Sequence, residues 1–251
     1  IGLVRELTND SSLLLNYREA SRAPSPVELA CADPSAPCRL PNAFVADPPL
    51  EQVITRALET GARGVTKFNK FFVNWSSIGY LMKNYEDIIF VSSGTGLSSG
   101  YFKNFGETQR LGIDFSLNGF DKDKSNGIKD FSLNYSYMKA TFQSSHTLPA
   151  ANHPNSVNDV EAGDIIPGMP QHKLNANITY GILDNLDLSA GLTAASGVFL
   201  RGDESNQLKK TSPYTVFNLQ TNYSPKKNIS LFARIENLLN RYEPKGAIRN
   251  L

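Results

Sequence analysis

The residues with the most evident covalent chemistry are Cys31 and Cys38, which bound the octapeptide CADPSAPC in a stretch rich in proline and aspartate. A C-x6-C spacing without a second pair falls short of the four ligands that structural zinc takes. Two free thiols are one reading. A local Cys31–Cys38 disulfide is the expected state if the compartment is oxidising. His146, His153 and His172 show neither i, i+4 spacing nor a carboxylate pattern, so solvated residues in a loop or at a strand start are expected. Asp159, Glu161 and Asp164 read D-x-E-x-x-D, acidic enough for calcium but without the spacing of an EF-hand loop. Arg201-Gly202-Asp203 spells an integrin-type tripeptide and is expected to be an ordinary turn. Gly94-Thr95-Gly96 lacks the following Lys-Ser/Thr and helix of a phosphate cradle. No nucleophile elbow or triad order stands out. The expectation is a protein that is not an enzyme, with no catalytic residue, cofactor or resident metal.

The elements that must carry these residues are strands. The clearest is Asn228–Tyr242, where Ile229, Leu231, Ala233 and Ile235 alternate with Ser230, Phe232, Arg234 and Glu236. An aliphatic face opposite a charged face fits a soluble sandwich, with the charges in water. It equally fits a large membrane barrel, with the aliphatics in lipid and Arg234 and Glu236 in a polar lumen. Mean hydropathy is −0.30, and no run approaches the ~20 apolar residues of a membrane helix. That carries little weight against a barrel, whose strands need only ~9–11 residues to cross. A net charge of +1 gives no basic field for nucleic acid.

The same unit recurs along the chain. Strands are expected over Ser12–Arg18, Ile54–Val65, Phe71–Val91, Tyr101–Gly119, Phe131–Tyr137, Lys173–Tyr180, Leu186–Thr193 and Phe217–Tyr223. The run Phe71–Val91 is too long for one regular crossing and must extend past the bilayer or break. With Asn228 onward this makes about nine strands, all-β and antiparallel. Their connections alternate between long and short. The long ones are Glu19–Val53, Ser92–Gly100, Gln143–Pro170 and Arg201–Ser212; the short ones fall near Lys67, Asp121, Asp184 and Lys226. A sandwich has no reason to place every long loop at one end, whereas an outer-membrane barrel does. Glu59 and Arg63 share a strand face and are expected to point into the lumen, as are Arg234 and Glu236.

Several separated motifs, in order, resemble the C-terminal part of the barrel of TonB-dependent outer-membrane receptors. They are NYREASRAPSPVELACADPSAPC, the E-x-G-x-R of Glu59–Arg63, NFGETQRLGIDFSLNG (Asn104–Gly119) and IENLLNRYE (Ile235–Glu243). The resemblance covers most of the chain. It implies a transmembrane barrel of about 22 strands closed by an N-terminal plug, set in outer-membrane lipid. It also implies TonB-dependent uptake of a scarce small molecule, such as an iron–siderophore complex, with the TonB complex reached through the plug. A passive porin-like or adhesive barrel is the alternative. Residues 1–251 are read as one C-terminal portion, without the plug or the earlier strands and with the last strand truncated. By loop parity the Pro-rich connection, with Cys31 and Cys38, lies on the extracellular side.

Overall fold

The computed structural model describes residues 1–33, 50–92, 100–122, 126–149 and 157–241. In chain order the elements begin with β1 (Gly2–Thr8), β2 (Ser11–Arg22), a single-turn helix α1 (Pro26–Ala30), β3 (Val53–Phe68) and β4 (Phe71–Tyr85). There follow β5 (Ile88–Ser92), β6 (Gly100–Asn104), β7 (Thr108–Asp121), β8 (Gly127–Phe142), β9 (His146–Pro149) and β10 (Val157–Val160). The chain continues through β11 (His172–Leu183), β12 (Leu186–Ala195), β13 (Tyr214–Lys226) and β14 (Ile229–Ile235).

Ten of these strands form one antiparallel sheet in the order β1-β2-β3-β4-β7-β8-β11-β12-β13-β14. The remaining four make two hairpins, β5–β6 and β9–β10, inside long connections. Strand β1 adds one member to the nine read from the sequence. Short links at 9–10, 69–70, 122–126, 184–185 and 227–228 lie at one end of the sheet, and the long ones at 23–52, 86–107, 143–171 and 196–213 at the other. Asn69 takes the left-handed conformation (φ 53°) that a tight hairpin link demands.

The run Phe71–Val91 does break. Strand β4 ends at Tyr85, Glu86 turns left-handed (φ 53°), and β5 resumes at Ile88. The partner run breaks opposite, at Gly106 (φ 76°) between β6 and β7. Two backbone bonds span the bend, Asp87 N–H to Gly106 O at 3.0 Å and Phe105 N–H to Asp87 O at 2.8 Å.

Register separates the sheet into two faces. Residues directly opposite on paired strands share a face. One row runs Ser12, Arg63, Ser76, Ser116, Asn134, Asn175, Thr193 without leaving the polar side. The opposite face carries the row Phe131, Ile178, Ala190, Leu219, Ile235. Leu13, Leu15, Leu58, Leu111, Ile113, Leu188 and Leu231 stand exposed on this apolar face. Among the described residues no second layer covers it, which rules out a sandwich. An exposed apolar face of this extent is what lipid, not water, accepts. Buried apolar residues gather instead beyond the long-link end: Val91, Phe105, Ala140, Phe142, Leu148, Val160 and Ile166 form one cluster.

Candidate functional site

The polar face of the sheet and the cap of long connections above it together form the candidate site. On the polar face, Glu59 of β3 meets the guanidinium of Arg18 on β2 in a short ion pair. Arg63 lies two alternate positions further along the same face, between Ser12 and Ser76. Arg234 sits opposite Gln220 on that face, and its guanidinium pairs with Glu236 at 3.1 Å, just past the end of β14. Glu59, Arg63 and Arg234 thus share one face but not one cluster, since β3 and β14 are third and tenth in the sheet, while Glu236 follows Arg234 just beyond the strand. Arg18 was not expected. Its register with β3 is set across a connection of about thirty residues, which no local pattern reveals.

From β7 to β13 the polar face carries Asp114, Lys173 and Asp187 among amides and hydroxyls that bond one another. Ser116 donates to Asn134 at 2.8 Å, Thr193 to Asn175 at 3.0 Å, and Asn118 to Ser116 at 3.0 Å. Each such group keeps spare donors or acceptors for water or a partner.

At the bend, Asp87 organises the base of the cap. Its Oδ2 accepts from Thr108 Oγ1 at 2.6 Å, Arg110 at 3.0 Å and Asn84 Nδ2 at 3.2 Å, and the residue is buried. Helix α1 opens with a capping box: Ser25 Oγ accepts from Glu28 N–H at 3.3 Å, while Glu28 accepts from Ser25 N–H at 2.7 Å. The Arg22 guanidinium beside Glu28 holds its carboxyl below the usual range. The chain stands on β6 both before and after the stretch 34–49. Phe102 N–H donates to Cys31 O at 2.7 Å, and Glu51 N–H donates to Asn104 Oδ1 at 2.8 Å. Cys31 is buried at 5% exposure. Cys38 lies outside the described residues, and the Cys31–Cys38 bridge stands as a proposal.

The other residues singled out in the sequence take structural positions. His146 is half-buried rather than free in solvent: its ring packs on Phe105 at 4.2 Å and its Nε2 bonds Phe105 O at 2.9 Å. His172 shares a hydrogen bond of 2.8 Å with Tyr135 on the apolar face. His153 and Gly94-Thr95-Gly96 lie outside the described residues. Asp159 accepts from Thr147 Oγ1 and Asp164 from Glu161 N–H, both within their own hairpin and turn. Among the described residues no three such side chains converge as metal ligands.

Asp203 of the Arg-Gly-Asp tripeptide is buried and accepts from Gln207 N–H at 2.8 Å and Leu208 N–H at 3.0 Å, so it organises the turn and is not displayed. Its neighbour Glu204 accepts from Asn158 Nδ2 at 2.7 Å and Gly202 N–H at 2.9 Å. Burial pushes the Glu204 carboxyl above its ordinary range, against the pull of those bonds. Asn158 Oδ1 in turn accepts from Ser205 N–H, and Asn206 reaches back to both backbone groups of Ile165. The β9–β10 connection and the 196–213 connection are thereby clasped together.

Short links at one end, folded long connections at the other, and polar and apolar faces in strict alternation define part of the wall of a membrane β-barrel. The chain belongs to the TonB-dependent receptor-like β-barrel family, whose model matches residues 1–238. Among solved structures, the siderophore receptor PiuA from Acinetobacter baumannii is similar over 96% of this chain and 31% of its own, at 18% identity and a TM-score of 0.68. The copper transporter OprC is similar over 96% and 33%, at 16% identity and 0.67. The ferric yersiniabactin uptake receptor FyuA from Yersinia pestis follows over 96% and 32%, at 14% identity and 0.65. The chain thus spans about a third of the length of these structures. No curated protein matches it.

Proposed function

We propose that this chain is part of the barrel of an outer-membrane receptor that takes up a scarce small molecule at the expense of the TonB complex. A ferric siderophore or similar iron complex is the ligand class favoured. The observation that carries the reading is the unbroken polar row from Ser12 to Thr193, opposite an exposed apolar face and beneath a folded cap. A wall with that division encloses a wet or plugged lumen in lipid. Glu59, Arg63, Arg234 and Glu236 then face the lumen, and the plug and its TonB contact are supplied by residues outside this chain. Family membership and structural neighbours that include siderophore receptors and a copper transporter support the same reading.

The test is growth of cells that depend on the complete receptor, with iron chelated or copper restricted, in the presence and absence of TonB. Growth that needs both receptor and TonB under iron chelation is expected. Receptor-dependent growth that persists without TonB is the outcome for a passive porin and would overturn the proposal. A requirement confined to copper restriction would replace iron by copper as the ligand.

A further inference from the structure

Near the short-link end, two aromatic rings interrupt the polar face. Lys67 of β3, Phe72 of β4, Phe120 of β7 and Asp130 of β8 stand opposite one another in register. Their row lies two positions beyond Val65, Asn74, Asn118 and Ser132, and therefore on the same face. The Phe72 and Phe120 rings stack, with centroids 5.9 Å apart and planes inclined by 20°, and Phe120 is 46% exposed. Lys67 Nζ stands 5.8 Å from the centroid of Phe72. Beside the rings, toward the middle of the wall, a cavity of about 450 Å³ opens among Arg63, Val65, Asn74, Ser76, Ser116 and Asn118. Arg63 and Lys67 are both exposed, and neither has an ion-pair partner among the described residues. The carboxylates of this face stand apart from them. Glu59 is taken by Arg18, Glu6 lies two strands from Arg63, and Asp130 lies three strands from Lys67.

We infer that Phe72, Phe120, Lys67 and Arg63 form a subsite inside the lumen for an iron complex whose ligating groups are aromatic anions, catecholate or phenolate. The inference rests on the uptake reading proposed above and names the chemistry of its ligand. Aromatic girdles of membrane barrels face lipid, whereas these rings are on the opposite face, so anchoring in the bilayer does not explain them. Exposed rings on a wet wall offer offset stacking to another flat ring. Lys67 and Arg63 match negative charge carried on that ring's oxygens, and a guanidinium stacks on aromatic faces as well. An aliphatic or neutral ligand gains little from this combination. The cavity is of the size that holds a small molecule. Its position gives its role. It lies at the far end of the wall from the cap, so it receives a ligand already captured there, on the way to the short-link mouth.

The experiment uses cells making the complete receptor and radioiron carried by a tris-catecholate or by a trihydroxamate. Surface binding is read without TonB, and uptake is read with it. Each stacked ring contributes about threefold to tenfold. Phe72→Leu/Phe120→Leu, which keeps apolar volume but removes the rings, should lower catecholate uptake about tenfold or more and leave surface binding unchanged. Phe72→Tyr/Phe120→Tyr should retain uptake, and Lys67→Gln should lower it about threefold. Undiminished uptake by the leucine variant, or an equal fall in its surface binding, would overturn the subsite. Entry of a large glycopeptide antibiotic into cells with the leucine variant would overturn it as well, by assigning the rings to seating the plug. Wild-type uptake of the trihydroxamate alone would overturn the aromatic class of ligand and leave the uptake reading standing, whereas uptake of neither complex would count against that reading itself.

Discussion

Asp87 gathers Thr108, Arg110 and Asn84 at the bend where the wall gives way to the cap. Truncating it strands a largely buried guanidinium, and breaking such a pair from one side costs about 3 kcal/mol or more. Asp87→Ala is expected to loosen the β5–β6 hairpin while leaving the wall formed, read as faster hydrogen exchange at residues 88–92 and 100–105 with unchanged exchange in β11–β13. Glu204 gives a pH dependence of definite sign. Its pKa is raised in the folded turn, so the folded state holds the proton more tightly than the unfolded one. The stabilisation is complete below the ordinary glutamate value and is lost as pH rises through the raised value. The protection factor of the Ser205 amide, corrected for intrinsic exchange, should therefore fall as pH rises through that window, and Glu204→Gln should flatten the profile.

Alternation within strands was open to reading from the sequence, and it supports a prediction at that scale. Leu188→Arg and Leu219→Arg place a cation on the apolar face and should each cost the complete barrel about 2–4 kcal/mol near the bilayer midplane. Asn177→Arg and Gln220→Arg, on the polar face, should be far better tolerated, as measured by denaturant unfolding in lipid. Equal responses on the two faces would reverse the assignment. The sequence also marked Phe71–Val91 as too long for one regular crossing but left open whether it extends past the bilayer or breaks, which the turn at Glu86 decides. Strand β1 was not legible: Leu3, Arg5 and Leu7 mix charge with aliphatics on one side, and Val4 and Glu6 on the other, so neither face declares itself. Helix α1 did leave a signal, Ser25-Pro26-Val27-Glu28, a capping box with proline at its start. It is a single turn in a long polar connection, where helical periodicity has no room to show. The Arg18–Glu59 pair and the Asn158 clasp depend on register and loop docking between distant segments, and composition does not encode those locally.

Across the whole molecule, β1 and β14 each present one strand edge without a partner in the described sheet, as a section of a larger barrel must. The proposed Cys31–Cys38 bridge lies outside this hydrogen-bonded wall. It closes a short segment, worth ~2–3 kcal/mol by chain entropy, and fixes one apical connection in place. Replacing both cysteines by serine should leave assembly of the complete barrel intact and weaken ligand capture. Thiol labelling of unreduced surface protein is the direct check, and rapid labelling of both residues would exclude the bridge. The separation of wall from cap has a thermal consequence. The apolar cluster around Phe105 and Phe142 is shielded from water by protein, whereas the wall's apolar face looks away from the protein. Opening the cap wets apolar surface and carries a positive heat capacity, so its stability curve bends downward on cooling as well as on heating. Parting strands in lipid keeps their apolar face in apolar surroundings and carries little of that curvature. Chilling should therefore loosen the cap while the wall holds.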